Sequence, residues 1–92
     1  MLFVEKTAAE KRVDLRQGLK SGSILRFPGS HAPLVSLEIE RQGFDGIYIS
    51  GAALSADLCL PDIGLTTLSE VAQRGRQIAR VTSLPAIIDI DT

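Results

Sequence analysis

Pro85-Ala-Ile-Ile-Asp-Ile-Asp-Thr92 is the stretch that decides how this chain is read. Pro85 to Ile88 is a short apolar run rich in isoleucine, the composition of a strand buried on both faces. Asp89 and Asp91 follow it two residues apart, and side chains two apart on a strand point the same way. Both acids therefore crowd one spot at the strand's C-terminal end. Two bare carboxylates there repel each other and lose solvation. A hard divalent cation such as Mg²⁺ removes both penalties. The plainer alternative is a pair of solvated acids near a frayed chain end. The carboxyl ends of parallel strands are also where α/β folds place their active sites.

Reading outward, Thr67 to Arg80 is the clearest helix. Thr67 and Glu70 have capping-box spacing, and Leu68, Val71, Ala72, Gly75, Ile78 and Ala79 form one apolar stripe. Arg74, Arg76 and Arg80 fall off that stripe, which reads as a solvated face and less readily as a phosphate site. Gly46 to Ser50 reads as a strand, followed by a long loop from Gly51 to Leu65, and long ordered loops are usually functional. Residues 32–42 fit both a strand alternation and a helical spacing. A helix is expected, because two parallel strands need a crossover between them. Ser23 to Phe27 reads as a first strand closed by Pro28-Gly29-Ser30, and Thr7 to Lys20 as a helix opened by Thr7 and Glu10.

The order is a helix and then β-α-β-α-β, which implies a parallel sheet with right-handed crossovers. Three strands with no helix after the third leave a sheet edge and much of a sheet face bare. The expected fold class is α/β: an N-terminal helix with the first three strands and two helices of an incomplete (β/α)₈ TIM-type barrel. Residues 1–92 would be the N-terminal piece of one barrel domain, since such a barrel takes about 250 residues.

Composition narrows the function classes. A net charge of −1 with scattered Lys and Arg gives no nucleic-acid footprint and no patch for an anionic membrane. Three Phe, one Tyr and no Trp leave few platforms for base stacking. No apolar run approaches the roughly 20 residues a membrane span needs. Glu5, Lys6 and Glu10 interrupt any apolar core of a signal peptide. A single cysteine, Cys59, excludes an internal disulfide and fits a reducing cytoplasm.

Five segments carry a more specific signal: Gly43-Phe-Asp-Gly-Ile-Tyr-Ile-Ser-Gly51, Leu54-Ser-Ala-Asp57, Leu60-Pro-Asp-Ile-Gly-Leu-Thr-Thr67, Glu70-Val-Ala-Gln-Arg-Gly-Arg-Gln-Ile78 and Ile87-Ile-Asp-Ile-Asp91. From about Leu25 to Thr92 the chain resembles the N-terminal part of the methylisocitrate lyases, in the isocitrate lyase and phosphoenolpyruvate mutase superfamily. The resemblance implies an Mg²⁺-dependent C–C lyase that splits 2-methylisocitrate, a tricarboxylate, into pyruvate and succinate in the methylcitrate cycle of propionate catabolism. It also implies a homo-oligomer, a tetramer in the family. By the family pattern Asp89 and Asp91 hold the metal, directly or through water, and Asp62 supports its water shell. Tyr48, Ser50, Gly51 and Ala52 line the pyruvyl half of the substrate.

The family's acid–base loop, Lys-(Lys/Arg)-Cys-Gly-His, is not among these residues, so no catalytic acid or base is assigned here. Cys59 is not that cysteine, because its Leu-Cys-Leu-Pro context belongs to the earlier loop. It reads as an inert, partly buried thiol. His31 reads as a turn residue, Tyr48 as a packed ring with its hydroxyl satisfied, and Ser50 as a strand-end residue bonding its own backbone. Asp62 is otherwise a turn residue after Pro61. Within the superfamily the alternatives are a phosphonopyruvate hydrolase, a carboxy-phosphonoenolpyruvate mutase or an oxaloacetate hydrolase. Outside it, the alternative is a non-catalytic fragment that associates through its open edges.

Overall fold

The strand Ile47–Ile49 (β1) is the centre of the molecule. The computed structural model describes residues 3–90. Around β1 the described chain forms helices α1 (Ala8–Lys20), α2 (Pro33–Arg41), α3 (Gly51–Asp57) and α4 (Leu68–Ala79), and a second strand, β2 (Ala86–Ile88). The two strands run parallel, with Ile47 opposite Ala86, Tyr48 opposite Ile87 and Ile49 opposite Ile88. The segment 28–30 flanks β1 on its other side. Tyr48 N donates to Pro28 O at 2.9 Å, Ser30 N donates to Tyr48 O at 2.8 Å, and Gly29 and Tyr48 form a parallel bridge.

Burial follows from strand alternation. Ile47 and Ile49 point to one face and are buried there with Ile39 of α2, Leu54 of α3 and Ile78 of α4. Tyr48 and Ile87 point to the other face, where Tyr48 is half-buried and Ile87 is exposed. The sheet is thus covered by helices on one side. Its free face and its β2 edge carry exposed isoleucines, and Ile90 is 74% exposed.

The helices start where the caps predict. Thr7 Oγ1 accepts from Glu10 N at 3.1 Å while Glu10 Oε1 accepts from Thr7 N at 3.0 Å. Thr67 and Glu70 repeat the arrangement at 3.1 and 2.9 Å. In both boxes the hydrogen bonds with the threonine hold the glutamate below its ordinary pKa. Pro33 begins α2, where its missing N–H costs nothing. Helix α1 buries none of its residues. It is tied down by a Lys6–Asp14 ion pair and by Lys11 Nζ, which donates to Ala79 O at the end of α4 at 2.8 Å.

Three expectations change. Residues 23–27 do not form a strand: Ile24 is 91% exposed and no described strand pairs with the segment's outer edge. What holds the segment is Asp45, whose Oδ2 accepts from Arg26 N at 2.8 Å and whose N donates to Arg26 O at 3.2 Å. Gly46 lies directly below: a Cβ there would stand 2.2 Å from Cε2 of the Phe27 ring, so only glycine fits. The expected loop from Gly51 to Leu65 opens instead with α3. Ser50 caps that helix, its Oγ accepting from Ala53 N at 3.3 Å, and Ala52, Ala53 and Leu54 are good helix formers. The apolar stripe of α4 is buried only toward its C-terminal half, at Gly75 and Ile78, while Leu68 is 80% exposed.

Two polar ties fix the crossovers. Ser30 Oγ meets Ser36 Oγ at 2.7 Å in a buried pair that joins segment 28–30 to α2. Glu40 Oε1 accepts from Thr82 Oγ1 at 3.0 Å, from Ser83 N at 2.8 Å and from Ser83 Oγ, which clamps α2 to the turn before β2. Burial pushes the Glu40 carboxyl up, but the hydrogen bonds from Ser83 and Thr82 and the nearby Lys11 ammonium outweigh it and hold it below its ordinary value.

Candidate functional site

Parallel strands bring their carboxyl ends to one side, so Ser50 after β1 and Asp89 after β2 lie at the same end of the sheet. Asp89 N donates to Ile49 O at 2.9 Å, which anchors its backbone to β1. The register places Tyr48 opposite Ile87, so Tyr48 and Asp89 are diagonal neighbours on one face. The Tyr48 hydroxyl donates to Asp89 Oδ2 at 3.4 Å, a long bond that still holds the ring beside the carboxylate.

Gly51 meets this acid from the first turn of α3. A Cβ on Gly51 would sit 3.4 Å from Asp89 Cγ and Oδ2, so the bare backbone leaves the carboxylate accessible. Between α3, the 62–66 turn and the start of α4 lies a cleft of about 220 Å³, and Gly51, Ser55, Asp62, Thr67 and Asp89 are among the residues lining it. Asp62 reaches it from an exposed turn closed by Ile63 N donating to Pro61 O at 2.9 Å.

The candidate residues divide accordingly. Gly51, Asp62 and Asp89 line one cleft. Tyr48 reaches it through Asp89, and Ser50 flanks it as the cap of α3. Ala52 follows on the exposed side of α3 and does not line it. Asp91 lies outside the described residues. Ser55 and Thr67 are cleft residues that the pattern reading did not single out as such. Thr67 was legible as the cap of α4; Ser55 was not, because it lies on α3, a stretch that reads as loop.

Among the described residues no group of three His, Cys, Asp or Glu side chains is placed to hold a metal. The donors lining the cleft are all oxygens, from two carboxylates and three hydroxyls, with no imidazole or thiol. That set suits Mg²⁺, which takes one or two carboxylates and keeps several waters.

Other side chains settle into structural roles. Arg74 is not simply solvated: it pairs with Asp57 at 3.0 Å and donates to His31 O at 3.1 Å, joining α4 to α3 and to the turn before α2. Cys59 is exposed rather than partly buried, and its φ of 58° places it in the left-handed region directly after α3. No helix among the described residues is long and apolar enough to cross a membrane.

A parallel α/β arrangement with an acidic, oxygen-lined cleft at the carboxyl ends of its strands is the layout of a class of metabolic enzymes. The family model described as phosphoenolpyruvate phosphomutase matches residues 15–92, and the chain belongs to that family. It is 57% identical over 83 residues to a Corynebacterium glutamicum protein named "Probable 2-methylisocitrate lyase 2", covering 90% of this chain and 27% of that one. A 2-methylisocitrate lyase of Halalkalibacterium halodurans is 40% identical over 92 residues, covering 98% of this chain and 31% of that one. Among solved structures, phosphonopyruvate hydrolase in complex with oxalate and Mg²⁺ superposes with a TM-score of 0.85 at 40% identity, covering 89% of this chain and 29% of that one. A 2,3-dimethylmalate lyase, described as a PEP mutase/isocitrate lyase superfamily member, superposes at 0.77 with 30% identity, covering 90% of this chain and 29% of that one. The chain thus spans between a quarter and a third of the length of these curated relatives.

Proposed function

We propose that this chain supplies the metal and pyruvyl half of a 2-methylisocitrate lyase, an Mg²⁺-dependent enzyme that yields pyruvate and succinate. The observation that carries the reading is the 57% identity to a protein of that name across 90% of this chain. The cleft joining Gly51, Asp62 and Asp89 supports it. On this reading residues 1–92 are the first part of one (β/α)₈ barrel, and the bare sheet face and β2 edge are covered by later strands. The enzyme is a cytoplasmic homo-oligomer acting on a small tricarboxylate.

Asp89 and Asp62, with Asp91 two residues after Asp89 in sequence, would hold the metal. When bound there, Mg²⁺ supplies stabilisation for the negative charge that develops on the substrate oxygen as the C–C bond breaks. The chain's own groups do the positioning. Tyr48 places its hydroxyl beside the Asp89 carboxylate. Ser50, by capping α3 through Ala53 N, orients the first turn of that helix. The N–H groups of Gly51 and Ala52 have no acceptor within the helix and are available to a substrate carboxylate. The missing Cβ of Gly51 lets that carboxylate approach the backbone. The proton taken from the substrate hydroxyl must go to a base outside these residues.

The test is Asp89→Ala in the full-length enzyme, assayed by succinate release from 2-methylisocitrate across an Mg²⁺ titration. Turnover should fall below detection while the thermal melt changes little, because a strand-end carboxylate of this kind serves chemistry more than packing. Normal Mg²⁺ dependence in that variant would move the metal role elsewhere.

A second reading, phosphonopyruvate hydrolase, is favoured by the TM-score of 0.85 to that enzyme. The two separate by product: succinate from 2-methylisocitrate, or inorganic phosphate from phosphonopyruvate.

A further inference from the structure

At the opposite end of the sheet from Asp89 lies a second cleft, of about 420 Å³, between α1, the last turn of α4 and the start of β2. Lys6, Lys11, Arg12, Arg76 and Arg80 all line it, and no acidic side chain among the described residues does. The chain has ten Lys and Arg in total and a net charge of −1, so half of its cations converge on one surface of an otherwise slightly acidic protein. Gathering like charges costs repulsion, and a cleft lined by one sign focuses the field toward a counter-ion.

The nearby acids act on the two lysines and leave the cleft's arginines without an ion-pair partner among the described residues. Asp14 pairs with Lys6 alone. Glu40 acts on Lys11 and Glu10 on Lys6, and neither forms an ion pair with Arg12 or Arg76. Arg80 stacks over the Phe3 ring with 4.2 Å to its centroid, which positions the guanidinium without cancelling its charge. Arg12 and Arg76 are exposed and form no ion pair with any described residue. Burial draws the Lys11 ammonium below its ordinary pKa, so it too stands to gain from an anion.

We propose that this cleft binds a phosphate-bearing small metabolite, its two unpaired arginines and Lys11 converging on the phosphate oxygens. Guanidinium forks match phosphate geometry, and several converging cations favour a multivalent oxyanion over a single carboxylate. The cleft is separate from the metal cleft, because Pro85 and Ala86, at the amino end of β2, form part of its wall.

The test titrates pyrophosphate into the intact protein by calorimetry, at low ionic strength with EDTA present to remove any metal-bridged binding. Saturable binding is expected in the wild type and in Asp89→Ala. The double variant Arg12→Ser, Arg76→Ser should bind about tenfold more weakly or worse, since one charge-assisted hydrogen bond is already worth that much. Arg76→Glu alone should weaken binding further than Arg76→Ser. Lyase turnover should be unchanged in the double variant. No saturable binding to the wild type, equal affinity in the arginine variants, or loss of binding in Asp89→Ala would each overturn the proposal.

Discussion

A methyl group on Gly51 would stand 3.4 Å from the Asp89 carboxylate, close enough to touch it and not close enough to force the backbone apart. Gly51→Ala should therefore leave the fold intact. As the first residue of α3, alanine costs little there and has the better helix propensity, so stability should change by less than about 1 kcal/mol. The loss should appear in kcat/KM for 2-methylisocitrate, by about tenfold or more, because the methyl occupies the approach to the acid. An unchanged kcat/KM would show that substrate does not enter past Gly51. The position of Asp89 was legible from the sequence, since an acid directly after an apolar strand sits at that strand's carboxyl end. Its contact with Tyr48 was not. That pairing depends on the register of two strands almost forty residues apart, which no local pattern specifies. Cys59 and Arg74 show the same limit. An exposed left-handed cysteine and an arginine joined to Asp57 and His31 both follow from where α3 stops.

Among the elements, α1 and α4 were readable from their capping boxes, α2 only because two parallel strands need a crossover between them, and β1 and β2 because apolar runs are bounded by Gly46 and Pro85. Helix α3 was missed because Gly51 follows a strand and reads as a turn, although Ser50 was a legible cap. The first segment was overread: Ser-Ile-Leu-Arg-Phe has strand composition, but only residues 28–30 meet β1 through hydrogen bonds on both sides of Tyr48. At this scale Glu40 is the decisive clamp, as it joins α2 to the turn that launches β2. Thr82 is fully buried, so Glu40→Ala leaves its hydroxyl without this acceptor and should cost about 1–3 kcal/mol. Glu40→Gln, which keeps a carbonyl oxygen, should cost less. The pH dependence follows from the sign of the shift. The folded-state pKa lies below the ordinary 4.5, so the clamp contributes fully above that value and weakens as pH falls below it toward the folded pKa. Chemical denaturation at pH 7 and at pH 3.5 should show the wild type losing stability on acidification and Glu40→Gln losing less. An equal loss in both would remove Glu40 from the account.

For the whole molecule the governing fact is a sheet clothed on one face only. Ile47 and Ile49 are sealed beneath α2, α3 and α4, whereas Ile87 and Ile90 are open to solvent. Exposed isoleucines beside an unpaired strand edge invite association. In the proposed barrel that surface is interior. Expressed as residues 1–92 alone, the segment keeps the bare face, and on the proposed reading the base that takes the substrate's hydroxyl proton lies outside it. His31 and Cys59 do not replace it: His31 sits in the turn before α2, Cys59 in the turn after α3, and neither lines the cleft that holds Asp89. The segment should therefore release no pyruvate from 2-methylisocitrate with Mg²⁺, and light scattering should show it self-associated at micromolar concentration. Replacing Ile87 and Ile90 with Thr should reduce the scattering mass without restoring turnover, because it removes apolar surface while adding no base. Measurable pyruvate from a clean monomer would mean that these residues build a complete site by themselves, with the proton acceptor among the groups assigned here to structure.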